Sequence, residues 1–152
     1  MIQDISNDFL DYQYQILGIS PLLERQDVTE ICINKPGQVY LETFNGWECI
    51  EVSTLTYERA RQFCTSVVNE SNTGQRITDK EPMVSLTFPS GQRAQFVIPP
   101  ACDAGKISIT IRQPSKYTKT LEQYQEDGFF NNVILNTDSI SKYDLELKEL
   151  LI

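Results

Sequence analysis

An α+β fold, with an antiparallel six-stranded sheet and helices packed on one face, is predicted by three features of the sequence. Short segments rich in β-branched and aromatic residues recur through residue 112, several with apolar and polar residues in alternation. The sequences between them, Lys35-Pro36-Gly37, Asn45-Gly46 and Pro89-Ser90-Gly91, are turn signals of the kind that join neighbouring antiparallel strands. Two apolar stripes at helical spacing supply the covering layer.

Taken in order, Ile2, Ile5, Phe9, Tyr12 and Ile16 step by three and four, which predicts a first helix with that face inward, stopped by Gly18 and Pro21. Ser20 before Pro21 is expected to cap a short second helical turn through Leu22 and Leu23. Strands follow at Val28 to Asn34 and Gln38 to Thr43, with Pro36 and Gly37 suited to the central positions of a type II turn. Asn45-Gly46 is a two-residue hairpin signal leading into a strand from Trp47 to Val52, which completes a three-stranded meander. Ala60, Phe63, Cys64, Val67 and Val68 lie on one face of a helix from Thr56, its expected N-cap, to about Asn69. Val84, Leu86 and Phe88 alternate with polar residues before the Pro89-Ser90-Gly91 turn, and Gln92 to Ile98 alternates after it until Pro99-Pro100. The cleanest strand is Lys106 to Arg112, with Ile107, Ile109 and Ile111 inward. A polar linker from Gln113 to Lys119 precedes a short helix with a Thr120/Gln123 capping box that ends at Asp127-Gly128. A last helix from about Ser141 carries Leu145, Leu147, Leu150, Leu151 and Ile152 to the end of the chain, and its uncapped apolar finish suggests that the natural protein continues.

Composition narrows the function. The chain has 152 residues, 40% of them hydrophobic and 22% charged, the profile of one globular domain. No segment has the length of a membrane span and the N-terminus lacks the basic start of a signal peptide, so a cytoplasmic protein is expected. There is no histidine, and Cys32, Cys49, Cys64 and Cys102 are widely spaced, which argues against zinc and for buried free thiols. The absent histidine also removes Ser-His and Cys-His nucleophile pairs, so no catalytic residue is assigned to this chain. The net charge of −8 is divided unevenly: residues 1–75 carry −7, residues 76–116 carry +3 and residues 117–152 carry −4. An acidic protein is a poor binder of nucleic-acid backbone, and no direct nucleic-acid binding is expected. A basic middle segment suits a small anion instead.

Register makes that suggestion specific. If residues 92–98 and 106–112 pair antiparallel, their apolar faces coincide when opposed residue numbers sum to 205, which sets Ile98 against Ile107, Phe96 against Ile109 and Ala94 against Ile111. The same register sets Arg93 opposite Arg112. Like charges across a ladder destabilise it, and two guanidinium forks match phosphate oxygens, so this polar face is a candidate phosphate site. The bland reading pairs each arginine with a surface carboxylate. No Gly-x-x-x-x-Gly-Lys-Ser/Thr loop is present, since Gly105-Lys106 runs into Ile107, and this chain alone is not expected to turn over ATP. Asp79, Glu81 and Glu30 read as loop charges with no metal-ligand spacing, and Trp47 reads as core packing.

Four stretches in series carry a resemblance: Val28-Thr29-Glu30-Ile31-Cys32-Ile33-Asn34-Lys35-Pro36-Gly37; Asn45-Gly46-Trp47; Phe88-Pro89-Ser90-Gly91-Gln92-Arg93-Ala94-Gln95-Phe96-Val97-Ile98-Pro99-Pro100; and Ile107-Ser108-Ile109-Thr110-Ile111-Arg112-Gln113-Pro114-Ser115. Over about residues 22–130 the chain resembles the N-terminal domain of the VirB-eleven-like traffic ATPases of type IV secretion systems. The resemblance implies that residues 1–115 form that N-terminal domain, and that residues 116–152 are a linker and the opening helices of a C-terminal RecA-like ATPase domain. It implies a nucleotide-clamping, ring-forming role in a homo-hexamer that powers transport of protein or DNA-protein cargo. ATP and Mg would serve the full-length protein, with none expected for this chain alone. The implied partners are its own C-terminal ATPase domain and inner-membrane secretion components, with a location in the cytoplasm peripheral to the bacterial inner membrane. It further implies phosphate contacts for Arg93 and Arg112 and a base or ribose contact for Asn45. The alternative is a stand-alone protein-interaction or anion-binding regulatory module without nucleotide turnover.

Overall fold

The structure, a computed structural model, describes residues 5–114 and 119–132. Two compact units divide the chain, Met1–Lys116 and Tyr117–Ile152. The larger holds α1 (Asn7–Leu17), α2 (Ser20–Leu23), β1 (Val28–Lys35), β2 (Gln38–Thr43), β3 (Gly46–Glu51), α3 (Tyr57–Glu70), β4 (Met83–Thr87), β5 (Arg93–Val97) and β6 (Ser108–Arg112). Its six strands form one sheet in the order β3-β2-β1-β6-β5-β4, every pairing antiparallel, as the α+β reading requires. The smaller unit contains α4 (Leu121–Glu126), opened by the expected capping box: Thr120 Oγ1 accepts from the Gln123 N–H at 3.3 Å and Gln123 Oε1 from the Thr120 N–H at 2.9 Å. The expected last helix, from Ser141, lies outside the described residues, as does Ile2.

Alternation along the strands builds the core. Ile31, Ile33, Val39, Leu41, Val84, Leu86, Ala94, Phe96, Ile109 and Ile111 are all buried on one face of the sheet. From α3, Ala60, Phe63, Cys64, Val67 and Val68 meet them, the five residues its spacing predicts, and Thr56 caps the helix by accepting the Arg59 N–H. An aromatic chain runs through the layers: Phe96 meets Phe63 edge-on with ring centroids 5.6 Å apart, and Phe63 lies 6.0 Å from Tyr14 of α1. Burying each phenyl contributes about 2–3 kcal/mol. Gly18 closes α1 at φ +79°, and a Cβ there would collide with Thr54 Oγ1 and stand 3.0 Å from Val52 Cγ1. Both the left-handed backbone and the close approach therefore require glycine.

Several local expectations are corrected. Ser6 caps α1 by accepting the Phe9 N–H, which leaves Ile5 buried but outside the helix, and the inward face is Leu10, Gln13, Tyr14 and Leu17, with Tyr12 60% exposed. The two stripes are equally helical in spacing, and the contact with Phe63 selects the one containing Tyr14. Ser20 does not cap α2: Ile19 is the N-cap without a side-chain bond, and Ser20 Oγ is buried with no partner among the described residues. In the β2–β3 hairpin Thr43 pairs with Gly46, so the two loop residues are Phe44 and Asn45 rather than Asn45 and Gly46. A type I′ turn needs positive φ at both loop positions, whereas here only Gly46 has it, at +114°. The turn is fixed by Thr43, whose hydroxyl accepts from the Asn45 N–H and donates to the Gly46 carbonyl. Trp47, expected in the core, is 59% exposed on the outer face of the edge strand. The cysteines are free, but only Cys64 is buried, and Cys49 is exposed.

Candidate phosphate-binding face

Opposite the helices, the sheet presents its polar residues. The register runs one continuous row across all six strands: Thr87, Arg93, Arg112, Glu30, Glu42 and Trp47. Arg93 and Arg112 stand directly opposed, the pairing the odd-sum register predicts, and both are exposed. Among the described residues neither makes an ion pair, so the surface-carboxylate reading is not what the structure shows. Glu30, read from sequence as a loop charge, sits in β1 directly across from Arg112. Its carboxylate instead accepts the Cys32 thiol at 3.3 Å. Burial, followed by the Glu30 hydrogen bond, pushes the Cys32 thiol up to about 11, so at neutral pH it stays protonated and remains a donor.

A cleft of about 440 Å³ lies over this row, lined by Glu30, Ser85, Thr87, Arg93, Gln95, Thr110 and Arg112 among others. Hydroxyl and amide groups surround the two guanidiniums, a donor set that suits an oxyanion. Arg112 also borders a second pocket of about 230 Å³, with Gln26, Thr29, Phe44 and Pro114 on its walls. Asn45 lines neither of these two pockets; its neighbour Phe44, 64% exposed, is the residue that the hairpin contributes beside Arg112. Sequence reasoning passed over Phe44, Thr110 and Gln95. Thr110 and Gln95 were within reach, because they form the next rung of the same register, whereas Phe44 depends on the shifted hairpin turn.

Among the described residues no group of three or more acidic or sulfur side chains could hold a metal ion, and no helix is long and apolar enough to cross a membrane. No family model matches the chain. It is 39% identical over 134 residues to the type IV secretion system protein VirB11 of Brucella suis, covering 88% of this chain and 37% of that protein. It is 34% identical over 115 residues to the type IV secretion system protein PtlH homolog of Bordetella bronchiseptica, covering 76% of this chain and 33% of that protein. The chain thus spans about a third of the length of these curated relatives. Among solved structures, the VirB11 ATPase from the Brucella suis type IV secretion system, crystallised with sulphate, superposes with a TM-score of 0.74 at 37% identity, covering 93% of this chain and 43% of that one. By sequence over most of its length and by fold, the chain is a homologue of the VirB11-like proteins of type IV secretion, consistent with the N-terminal domain of such a protein.

Proposed function

We propose that this chain is the nucleotide-clamping and ring-forming domain of a hexameric ATPase that powers type IV secretion, acting at the cytoplasmic side of the bacterial inner membrane beside the secretion components there. The observation that carries this reading is the opposed Arg93 and Arg112, without an ion pair among the described residues, in the lining of an open cleft. Leaving two like charges across a ladder costs stability that an apolar or oppositely charged pair would not, and a bound phosphate chain turns that cost into binding. Sulphate in the crystals of the Brucella suis relative is an oxyanion of the same tetrahedral type.

The chain's own groups fit only part of ATP. Arg93 and Arg112 would hold phosphate oxygens, and Asn45 would reach the base or ribose from the hairpin whose Phe44 flanks Arg112. The loop that cradles the phosphates has no counterpart in the sequence, and among the described residues there is no group of three or more acidic or sulfur side chains that could hold Mg. A C-terminal RecA-like ATPase domain supplies both, and the nucleotide lies between the two domains. The role of this chain is therefore electrostatic: its guanidiniums stabilise charge on the transferring phosphoryl group and couple its departure to domain movement.

A chimaera in which this chain replaces the matching region of Brucella suis VirB11 tests the reading in a phosphate-release assay. Arg93→Ala and Arg112→Ala are each expected to lower turnover on the order of 10- to 1000-fold with little change in folding. The chain alone should give the blank rate. Near-normal hydrolysis by the double variant sinks the role and favours a stand-alone interaction module.

A further inference from the structure

The two arginines occupy the last rung of the β5–β6 ladder, where strands ordinarily fray. Pro114, with no N–H, prevents the ladder from continuing, and Gly91 forms the turn that enters β5. One residue beyond the rung, on the helix side of the sheet, the same register brings Gln92 to Gln113. Gln92 Nε2 donates to Gln113 Oε1 at 2.9 Å. Gln113 Nε2 then donates to the Leu23 carbonyl at the end of α2 at 3.0 Å. Gln92 Oε1 accepts from the Tyr14 hydroxyl at 3.2 Å and from Ser90 Oγ at 3.1 Å. Backbone bonds lock the same two residues: the Phe88 N–H donates to the Gln92 carbonyl at 2.8 Å and the Gln113 N–H to the Thr29 carbonyl at 2.8 Å.

Each strand end is thus tied to a helix and to its neighbour, immediately behind the arginines. Tyr14 is 4% exposed and packed on Phe63, and its burial pushes the phenol well up, so it stays a donor throughout the ordinary pH range. On the outer face Arg93 and Arg112 repel each other, and among the described residues neither forms an ion pair, with Glu30 or any other carboxylate, that would set their spacing.

We propose that Gln92 and Gln113 are positioning residues: their amide bond, anchored by Tyr14 and the Leu23 carbonyl, fixes the spacing of the Arg93 and Arg112 guanidiniums for a pair of phosphoryl groups. The inference rests on the phosphate reading above and adds residues that touch no ligand. Spacing matters because two forks preset to one anion bind without first paying to order the strand ends.

The test follows the guanidinium Nε–Hε signals of Arg93 and Arg112 by NMR in this 152-residue chain as inorganic pyrophosphate is added at low salt. Wild type is expected to bind in the millimolar range with both signals shifting together. Gln92→Leu and Gln113→Leu should weaken pyrophosphate about three- to tenfold, and Tyr14→Phe should do so less, all measured well below the melting temperature of each variant. A merely structural role would lower the melting temperature and leave the affinity of the folded protein unchanged; that result overturns the clamp. Loss of binding in Arg93→Gln with no effect of the glutamine variants retains the phosphate site and rejects the clamp. Absence of any pyrophosphate response in wild type rejects both.

Discussion

Replacing Arg93 should make the ligand-free chain more stable, while replacing Arg112 should not. Arg112 stands between Arg93 on one side and Glu30 on the other, whereas Arg93 faces Thr87 on its second side. Opposed side chains on a ladder start about 5 Å apart at Cβ, and two splayed guanidiniums settle at roughly 6 Å. At that separation in water-like dielectric the repulsion is about 0.7 kcal/mol. A Debye length of about 30 Å at 0.01 M salt leaves most of it, and about 8 Å at 0.15 M roughly halves it. Arg93→Gln therefore gains about 0.5 kcal/mol at low salt, or about 2 °C in Tm for a unit of this size. Arg112→Gln loses the Glu30 attraction as it relieves the repulsion, and should stay within about 0.2 kcal/mol of wild type. Thermal melts by circular dichroism in phosphate-free buffer at 10 and 300 mM NaCl read both changes, and 10 mM pyrophosphate should reverse the order by raising wild type alone. A lower Tm for Arg93→Gln at 10 mM NaCl, or equal shifts for both variants, would refute the argument.

Two further outcomes are expected. Timed alkylation at pH 8 followed by mass spectrometry should modify Cys49 first and leave Cys64 untouched until the chain unfolds, since burial shields Cys64 and pushes its thiol up to about 12; early labelling of Cys64 would contradict its place on the buried face of α3. Arg25 bonds Asp27 and Glu48 together and holds both carboxyls below their ordinary values, so they contribute stability that is present above about pH 4, the ordinary carboxyl value, and is lost as pH falls through their depressed folded values. Acid unfolding followed by circular dichroism should accordingly start at higher pH in Asp27→Asn/Glu48→Gln; identical curves would remove the cluster from the account.

Parity explains what was legible in the sequence. Alternation with period two lets three isoleucines and Ala94, Phe96 and Ile98 fix the β5–β6 register, and the register fixes Arg93 against Arg112 without further information. The α3 face was equally legible, because one stripe dominates it. Where two stripes competed, in α1, only the partner surface could decide. Hairpin chemistry misled for a different reason: Asn45-Gly46 suits a type I′ turn, but the Thr43 hydroxyl offers the loop backbone another partner and moves the turn by one residue. That shift is why Phe44 was not anticipated beside Arg112, whereas Asn45 was named from the family resemblance alone. Asp79 and Glu81 do lie in a loop, but Glu30 was misjudged, because strand placement alone does not show that it faces Arg112, which takes the β1–β6 pairing between segments about eighty residues apart.

The Gln92–Gln113 bridge was illegible on a stronger ground, since it joins four elements that meet only in the folded unit. Its position also bears on how a strained charge pair is tolerated. The helix face of the sheet holds the apolar core and the hydrogen-bonded glutamines, while the outer face holds two repelling cations whose cost, well under 1 kcal/mol, is small beside the several kcal/mol of even one buried aromatic pair such as Phe63 and Phe96. Stability and the proposed anion recognition therefore reside on opposite faces of the same strands. A substitution on the outer face can be read for its effect on binding with little change in fold, whereas one at the glutamines changes spacing through the face that carries the stability. For that reason the affinity of the folded state, and not the melting temperature, is the quantity that separates positioning from support.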